Sequence, residues 1–570
     1  MLIINKLYSN PALFDPIEFN KGLNIILGEK VDGSLKTNGV GKSLCVEFIN
    51  YALLKDHNDS RVSKIPLDVL PQDFEICLDF TINNNEITIK RNVLKQDYPE
   101  LYVNGIKKPI EKKDKVLDYL ASLLFSDCVD IEHPSFRAIL GPLIRDEKSE
   151  FKSIIKCFDT DKRIPPNYEP HLYLLGINPI PYNKAKKMSK DLDKIKSAKS
   201  KLKENIELLT GKKISEAKAD LNNLKSQLEK IQNDIEQFEN IEGYEVIKDE
   251  IIALENKIED QKIKLTIFKT ELSKINMFHG DNYIDDDEIV ELYNQFKDGL
   301  GDLIKKELDQ VTAFKKKIDE FQFTLIGKKR ESLHDEIEKV NLELISLNKI
   351  YKEKIKLLDQ DGLLKNIKVS IAVQQKKFEE LSSLSSFLNA YDDSESERKL
   401  IDIERKNEIH ILDLYVHEKS ENIHLIESLI LKMHDYVYGN QQCSFNIEIK
   451  NNKEIVNFDL RIYDDGSHSI DREKVFFYDY SLLTSIATYN THPKLLIHDN
   501  IFEVDQHTII SNLNYINDNM SDISDKQYIL TINRDVLINQ PSIELNIEEY
   551  ICASFTKNNR FLRVNYQETS

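Results

Sequence analysis

The sequence predicts an α/β head assembled from both termini and interrupted by a long antiparallel α-helical coiled coil. Three observations predict it. Short apolar, strand-like runs are confined to residues 1–180 and 437–570. Across residues 181–436, apolar residues instead recur at steps of three and four. Each end carries only part of one set of polar motifs, so the ends are expected to fold together while the coil runs out and comes back.

The elements follow in order. Leu2-Ile3-Ile4 and Leu23 to Leu27 are short apolar strands. Glu75 to Phe80 and Glu86 to Arg91 alternate as a hairpin does, with Asn83-Asn84-Asn85 as its turn. Pro165, Pro166, Pro170, Pro179 and Pro181 then break the pattern. Ile214, Ala217, Leu221, Leu224, Leu228, Ile231, Ile235 and Phe238 form a heptad seam. After Gly243 the seam resumes from Ile247 to Ile275, with the polar Gln261 in it. Gly280 and Asp281 to Asp287 form a polar break, which puts the apex of the coil near 276–302. Leu333, Ile337, Val340, Leu344 and Leu347 carry the seam again. The helical pattern continues, with a break near Asp392-Asp393-Ser394, to about Tyr436. Residues 183–238 alone would span ~84 Å at ~1.5 Å per residue, the length of a rod rather than of a bundle core. From Ser444 strands return: Phe445 to Ile449 and Phe458 to Ile462 alternate, while Lys494 to Ile497 and Tyr528 to Ile532 have the unbroken apolar character of buried parallel strands. A helix from Gln506 to about Asn519 lies between the last two.

Charged residues make up 31% of the chain and aromatic residues 9%, as suits long solvated helices on a modest globular part. The formal charge of −19 makes the whole chain a poor non-specific binder of nucleic acid, so any such contact must rest on local basic patches. The six cysteines show no CxxC spacing, which argues against a metal site or a disulfide framework. No basic leader and no apolar run of ~18 residues is present, so neither a signal peptide nor a membrane span is expected, and the expected location is cytoplasmic.

The strongest motif is Asn38-Gly39-Val40-Gly41-Lys42-Ser43, between the strand Leu23 to Leu27 and the apolar helix Leu44 to Leu54. Strand, Gly-rich loop and helix together are the context of a P-loop. Gly39 and Gly41 let backbone N–H groups approach phosphates, and the helix N-terminus adds its positive end. Lys42 is placed to reach the β- and γ-phosphates of ATP, and the Ser43 hydroxyl to bind Mg²⁺. The first Gly of the usual pattern is missing, since Lys36 stands there. Leu495-Leu496-Ile497-His498-Asp499 is a buried strand ending in an acid, the Walker B pattern, with Asp499 on the same Mg²⁺. Asp505 stands where a residue near a dimer partner's nucleotide is expected. The residue after Asp499 usually is a glutamate that polarises water, and here it is Asn500; Asn533 likewise stands where a histidine is expected. An amide orients water but takes no proton, so hydrolysis is expected to be slow, or to be helped by Glu503 or His498. His498 reads equally as a packed, hydrogen-bonded histidine. Phe476 to Ser481 opens a helix Leu482 to Tyr489 on this reading, and Ser481 either donates to a γ-phosphate across a dimer or simply caps that helix.

Two terminal half-motifs around a coil resemble the SMC and RecN class of ABC ATPases. Lys21 to Ile26, Asn38 to Ser43, Ser135-Phe136-Arg137, Ile144-Arg145, Phe477 to Tyr480 and Ile497-His498-Asp499 are more closely similar to the SMC-like subunit of ABC three-component (Lamassu-type) anti-phage defence systems. That resemblance implies an ABC-type ATPase head with Walker A in residues 1–180, a coiled-coil arm over 181–436, and signature, Walker B and switch segments in 437–570. It further implies ATP and Mg²⁺ as cofactors, a homodimer through the heads, and sensing of DNA. It also implies partners: a small linker subunit and an effector such as a nuclease. No Cys-x-x-Cys lies in the coil, so a zinc hook is not available.

Lys184, Lys186, Lys187, Lys190 and Lys194 head a run of nine lysines to Lys203, opposed only by Asp191 and Asp193 within it. Lysines on a helix track phosphates without reading bases, so this segment is a candidate for sequence-independent, salt-sensitive DNA binding; the alternative is a solvated coil face. Three readings of function stay open: an ATP-driven DNA sensor with partners, a coiled-coil scaffold whose heads bind ATP and barely turn it over, and a RecN-like repair ATPase acting without an effector.

Overall fold

The computed structural model describes residues 1–29, 40–66, 69–109, 112–126, 132–160, 162–239, 248–277, 305–356, 363–462, 468–502, 504, 506–537, 542–563 and 566. The chain divides into two units, one of residues 1–186, 285–312 and 406–570, the other of residues 187–284 and 313–405. The first is the α/β head and the second the helical arm.

In chain order the first part of the head holds β1 (Leu2–Asn10), β2 (Ile17–Glu18), β3 (Gly22–Gly28), α1 (Lys42–Ala52), β4 (Glu75–Ile82), β5 (Asn85–Asn92), β6 (Glu100–Val103), β7 (Ile106–Lys107), α2 (Lys113–Leu124), α3 (Phe136–Leu140), β8 (Ile144–Arg145) and α4 (Glu169–Leu174). The helices that follow are α5 (Ile180–Thr210), α6 (Ile214–Glu239), α7 (Lys248–Met277), α8 (Lys305–Lys356) and α9 (Leu363–Glu418). The head resumes with α10 (Ser420–Tyr438), β9 (Ser444–Ile449), β10 (Val456–Arg461), α11 (His468–Thr484), β11 (Leu495–Asp499), α12 (Gln506–Asp518), β12 (Gln527–Asn533) and β13 (Ile551–Phe555).

The sheet that matters for function has the order β13-β3-β12-β11-β8, all parallel. β3, β11 and β12 are buried along almost their whole length. That is why their sequences are mostly apolar runs rather than alternating ones. The register pairs Gly28 with Asn533, Asp499 with Thr531, and His498 with Arg145. Parallel strands in register deliver their carboxyl ends to one edge, the usual place for ligands in open α/β sheets. A second, antiparallel sheet, β2-β1-β4-β5-β6-β7, contains the expected hairpin. Asn83 takes the left-handed conformation (φ 52°) at its turn, a conformation that asparagine tolerates. One apolar core joins residues from both ends of the chain, from Leu2 to Leu562.

In the arm, partners descend in number on one helix as they ascend on the other, the mark of antiparallel pairing. Lys199 pairs with Glu395, Lys218 with Asp392 at 2.7 Å, and Gln232 accepts from Gln374 at 2.6 Å, which sets α5 and α6 against α9. Ile206, Ala217, Leu384 and Leu388 fill that seam. A second seam joins α7 to α8: Ile258, Leu265, Val340, Leu344 and Tyr351 are buried together, and Tyr351 donates to Glu255 at 2.7 Å. Thr266 and Thr270 of α7 also line a groove with Ser382 and Ser386 of α9. So the antiparallel coil is layered, with α7 against both α8 and α9, and is not a single outgoing helix against a single returning one. The apex expected near 276–302 lies largely outside the described residues. The break expected near Asp392-Asp393-Ser394 is absent, since α9 runs through it. No helix among the described residues is long and apolar enough to cross a membrane.

Seam and surface leucines of α8 differ sharply. Leu344 is 1% exposed and Leu342 is 59% exposed. Leu344→Ala should lower the arm's unfolding free energy by roughly 2–4 kcal/mol, while Leu342→Ala should stay within about 0.5 kcal/mol. Urea titration followed by helical circular dichroism reads both.

Candidate functional site

The site forms where the carboxyl ends of β3, β12, β11 and β8 meet the start of α1. Gly41 caps α1 with φ 107°, a left-handed conformation that suits glycine. Glycine is required there for a second reason. A Cβ on Gly41 would stand 2.6 Å from the Cβ of Phe561, whose backbone N–H donates to the Val40 carbonyl at 3.1 Å. Phe561 in turn packs against Phe14, tilted, and edge-to-face against Phe48, with ring centroids 4.5 and 5.0 Å away. A residue near the end of the chain therefore packs on the P-loop.

Lys42 is buried and its ammonium group bonds Asn533, at the end of β12. The Ser43 hydroxyl donates to Asp499 Oδ1 at 3.2 Å, across 456 positions of sequence. Thr531 donates to the same oxygen at 2.8 Å. Two hard oxygen donors at the end of a P-loop fit a Mg²⁺ ion held beside phosphates. Burial, and then the nearby charge of Glu147, push the Asp499 carboxyl up to about 7, against the hydrogen bonds from Thr531 and Ser43. A cation here would remove that penalty.

Asn500 follows Asp499 with φ 64°. Its backbone N–H donates to Thr531 Oγ1 at 2.9 Å and its carbonyl accepts from Arg472 at 2.7 Å. Its side-chain amide donates to Glu147 Oε1 at 2.6 Å. Glu147 follows β8 in a short 3₁₀ turn and is exposed. Sequence reading missed Glu147 and Phe561, because neither sits in a motif; only the strand register and the close packing reveal them.

Behind this edge lies a fully buried polar network. Arg145 of β8 makes a bidentate contact with Asp479 of α11, with Nη2 to Oδ1 at 2.8 Å. His498 of β11 lies 3.1 Å from Asp479 by Nε2 and 3.1 Å from the Tyr528 hydroxyl by Nδ1. The carboxylate can only accept, so Nε2 carries the hydrogen and Tyr528 donates to Nδ1. Burial works against the Asp479 charge, yet Arg145 and His498 hold its carboxyl below the usual range; burial pushes His498 down, so it stays neutral. His498 is thus a packed, hydrogen-bonded histidine, and the alternative of a role in hydrolysis falls away.

The other expected residues fare differently. Val40, Gly41, Lys42, Ser43, Asp499, Asn500 and Asn533 come together at one edge. Asn38, Gly39, Glu503 and Asp505 lie outside the described residues. Ser481 is a correction: it does not open a helix but lies deep within α11, 0% exposed. A side chain sealed in the core cannot reach a partner's phosphate. The lysines of α5 are a partial correction. Lys184, Lys187, Lys190 and Lys194 are exposed, but Lys184 pairs with Glu408 at 3.1 Å and Lys194 with Asp191 at 3.2 Å. Lys186 is half-buried and lies 5.5 Å from the Tyr182 ring centroid.

Residues 12–240 match a family described as an AAA domain. Residues 433–566 match one described as "Uncharacterised protein conserved in bacteria (DUF2326)". The chain is 23% identical over 603 residues to "Uncharacterized protein YydD" of Bacillus subtilis (strain 168), with 98% of each covered. Two solved structures are similar to it. One is an Smc head domain with a coiled coil and joint derived from Pyrococcus yayanosii, at 15% identity and a TM-score of 0.36, covering 95% of this chain and 94% of that one. The other is an Smc head domain with an extended coiled coil, bound to the C-terminal domain of ScpA, derived from Pyrococcus furiosus. It matches at 12% identity and a TM-score of 0.32, covering 94% and 91%. Over residues 12–240 the AAA match agrees with the meeting of Lys42, Ser43 and Asp499 at one edge.

The Asp499 carboxyl gives a pH signature. Its unfolded value is ~3.9, so the folded, metal-free state holds the proton more tightly. The stability this proton contributes is present below pH ~4 and is lost as pH rises through 7. Mg²⁺ needs the carboxylate, so its binding moves the other way. Titration with a fluorescent ATP analogue and Mg²⁺ should show roughly tenfold tighter binding at pH 8 than at pH 6. Asp499→Asn should lose that pH dependence.

Proposed function

We propose that this chain is the ATP-binding and ATP-hydrolysing, DNA-sensing subunit of an anti-phage defence complex. In this reading its heads close as a homodimer on ATP and thereby control an associated effector such as a nuclease, through a small linker subunit. The observation that carries the nucleotide part is the meeting of Ser43 and Asp499 at 3.2 Å beside the buried Lys42. Mg²⁺ would supply Lewis-acid stabilisation of the phosphates when bound. The chain's own residues do the rest: Lys42 exchanges Asn533 for phosphate oxygens, and Thr531 keeps Asp499 aimed at the cation.

The defence reading draws its support from the resemblance carried by Ile144-Arg145, Phe477 to Tyr480 and Ile497-His498-Asp499. Arg145, Asp479 and His498, one from each of these segments, form the single buried network described above. DNA contact rests on the exposed lysines of α5, with Lys187, Lys190 and Lys194 spaced along one helix face.

A second reading, a scaffold that binds ATP and scarcely cleaves it, is favoured by one observation. Neither Asn500 nor Asn533 offers a carboxylate or an imidazole to the attacking water. Turnover with and without linear DNA separates the two. Stimulation by DNA supports the sensor; turnover that stays at background with DNA, despite tight ATP binding, sinks it in favour of the scaffold. Lys42→Ala should lose ATP binding in either case. Changing Lys184, Lys187, Lys190 and Lys194 together to Glu should weaken DNA binding and flatten its dependence on salt, with ATP binding retained; filter binding at several salt concentrations measures it.

A further inference from the structure

Hydrolysis of ATP needs a group that orients the attacking water and takes its proton, and the usual position offers only the amide of Asn500. Among the described residues, two other groups lie at or beside this edge. His498 is sealed in the core between Asp479 and Tyr528. Asp499 is committed to Ser43, Thr531 and the cation site.

The strand register points to a different carboxylate. β8 and β11 run parallel with Arg145 beside His498. Two residues beyond each lie Glu147 and Asn500, and they bond each other at 2.6 Å. The Asn500 backbone is held on both sides, by Thr531 and by Arg472. Its amide is therefore a fixed donor that grips one oxygen of the Glu147 carboxylate. Glu147 itself is exposed, and Asn500, which holds it, is the residue next to Asp499.

We infer that Glu147, held by Asn500, is the catalytic carboxylate of this ATPase, and that Asn500 is its positioning residue. The carboxylate comes from the turn after the neighbouring strand β8 instead of from the residue after Asp499. In the step, the water oxygen bonds to the γ-phosphorus and the bond from that phosphorus to the β,γ-bridging oxygen breaks. ADP keeps the electron pair, and the water's proton passes to Glu147 and then to the released phosphate or to solvent. This inference rests on the ATPase reading above.

The test uses the full chain and three proteins: wild type, Glu147→Gln, and the double variant Glu147→Gln with Asn500→Glu. Binding is read with a fluorescent ATP analogue, and the fate of bound ATP by single-turnover quench. Glu147→Gln is expected to bind ATP within about threefold of wild type, to cleave it about 100-fold more slowly, and to retain uncleaved ATP through gel filtration. The double variant, which returns a carboxylate to position 500, is expected to recover at least a tenth of the wild-type rate. Cleavage by Glu147→Gln within about threefold of wild type overturns the inference and leaves the ATPase reading standing. Loss of ATP binding in Glu147→Gln, without recovery in the double variant, also overturns it, since the residue then shapes the site and does no chemistry. Failure of the wild type itself to bind or cleave ATP overturns the ATPase reading and the inference together.

Discussion

A guanidinium, a carboxylate and an imidazole, all shielded from water, tie the head together. Arg145 and Asp479 stand 334 positions apart in the chain, and both are about 0–1% exposed. Two ions in such a place are expensive to desolvate, and only close, hydrogen-bonded geometry compensates. Removing either partner would leave the other charge stranded, at a cost of about 3–5 kcal/mol. The arrangement therefore tolerates one relative placement of β8, α11 and β11. β8 leads into the turn that holds Glu147, α11 carries Arg472 and β11 carries Asp499, so the geometry of the phosphate edge is inherited from the ion pair behind it.

The edge itself is a product of register. β3 ends at Gly28, where a Cβ would crowd Lys42 and Asn533 to about 3 Å. Lys42 can lie across β3 onto β12 because nothing but hydrogen stands at that position. Thr531 serves both neighbours on β11, donating to Asp499 through its hydroxyl hydrogen and accepting from the Asn500 backbone through the same oxygen. One short side chain in the adjacent strand thus aligns two consecutive residues of the site.

Much of this was legible before any coordinates. The runs Leu23 to Leu27, Leu495 to Asp499 and Tyr528 to Ile532 announce buried parallel strands, because two covered faces favour apolar residues and admit polar ones only where they find partners. The incomplete motifs at each end required the ends to meet, and Ser43 and Asp499 do meet. The heptad positions Ala217, Leu265 and Leu344 lie in seams. Which seam joins which was not legible, since a stripe of leucines states that a face is covered and not by what. α11 was misplaced for a related reason. Val475 to Tyr478 and Tyr480 to Leu483 are all buried, so the helix shows no polar face from which its period or its start could be read. The run Asp392-Asp393-Ser394 has the composition of a turn, yet it sits on an exposed helical surface where Asp392 finds Lys218.

The order of strands also bears on how the polypeptide is made. β3 is flanked by β12 on one side and β13 on the other, and both are encoded about 500 residues later. At ~5–20 residues per second, a ribosome needs on the order of half a minute or more to reach them. During that interval Leu23 to Leu27, apolar but for Asn24, lacks both strands it pairs with in the finished sheet, while the helices of the arm can already form from local contacts. An unpaired edge of this kind is a template for aggregation, and this sheet can close only once β12 and β13 have been made.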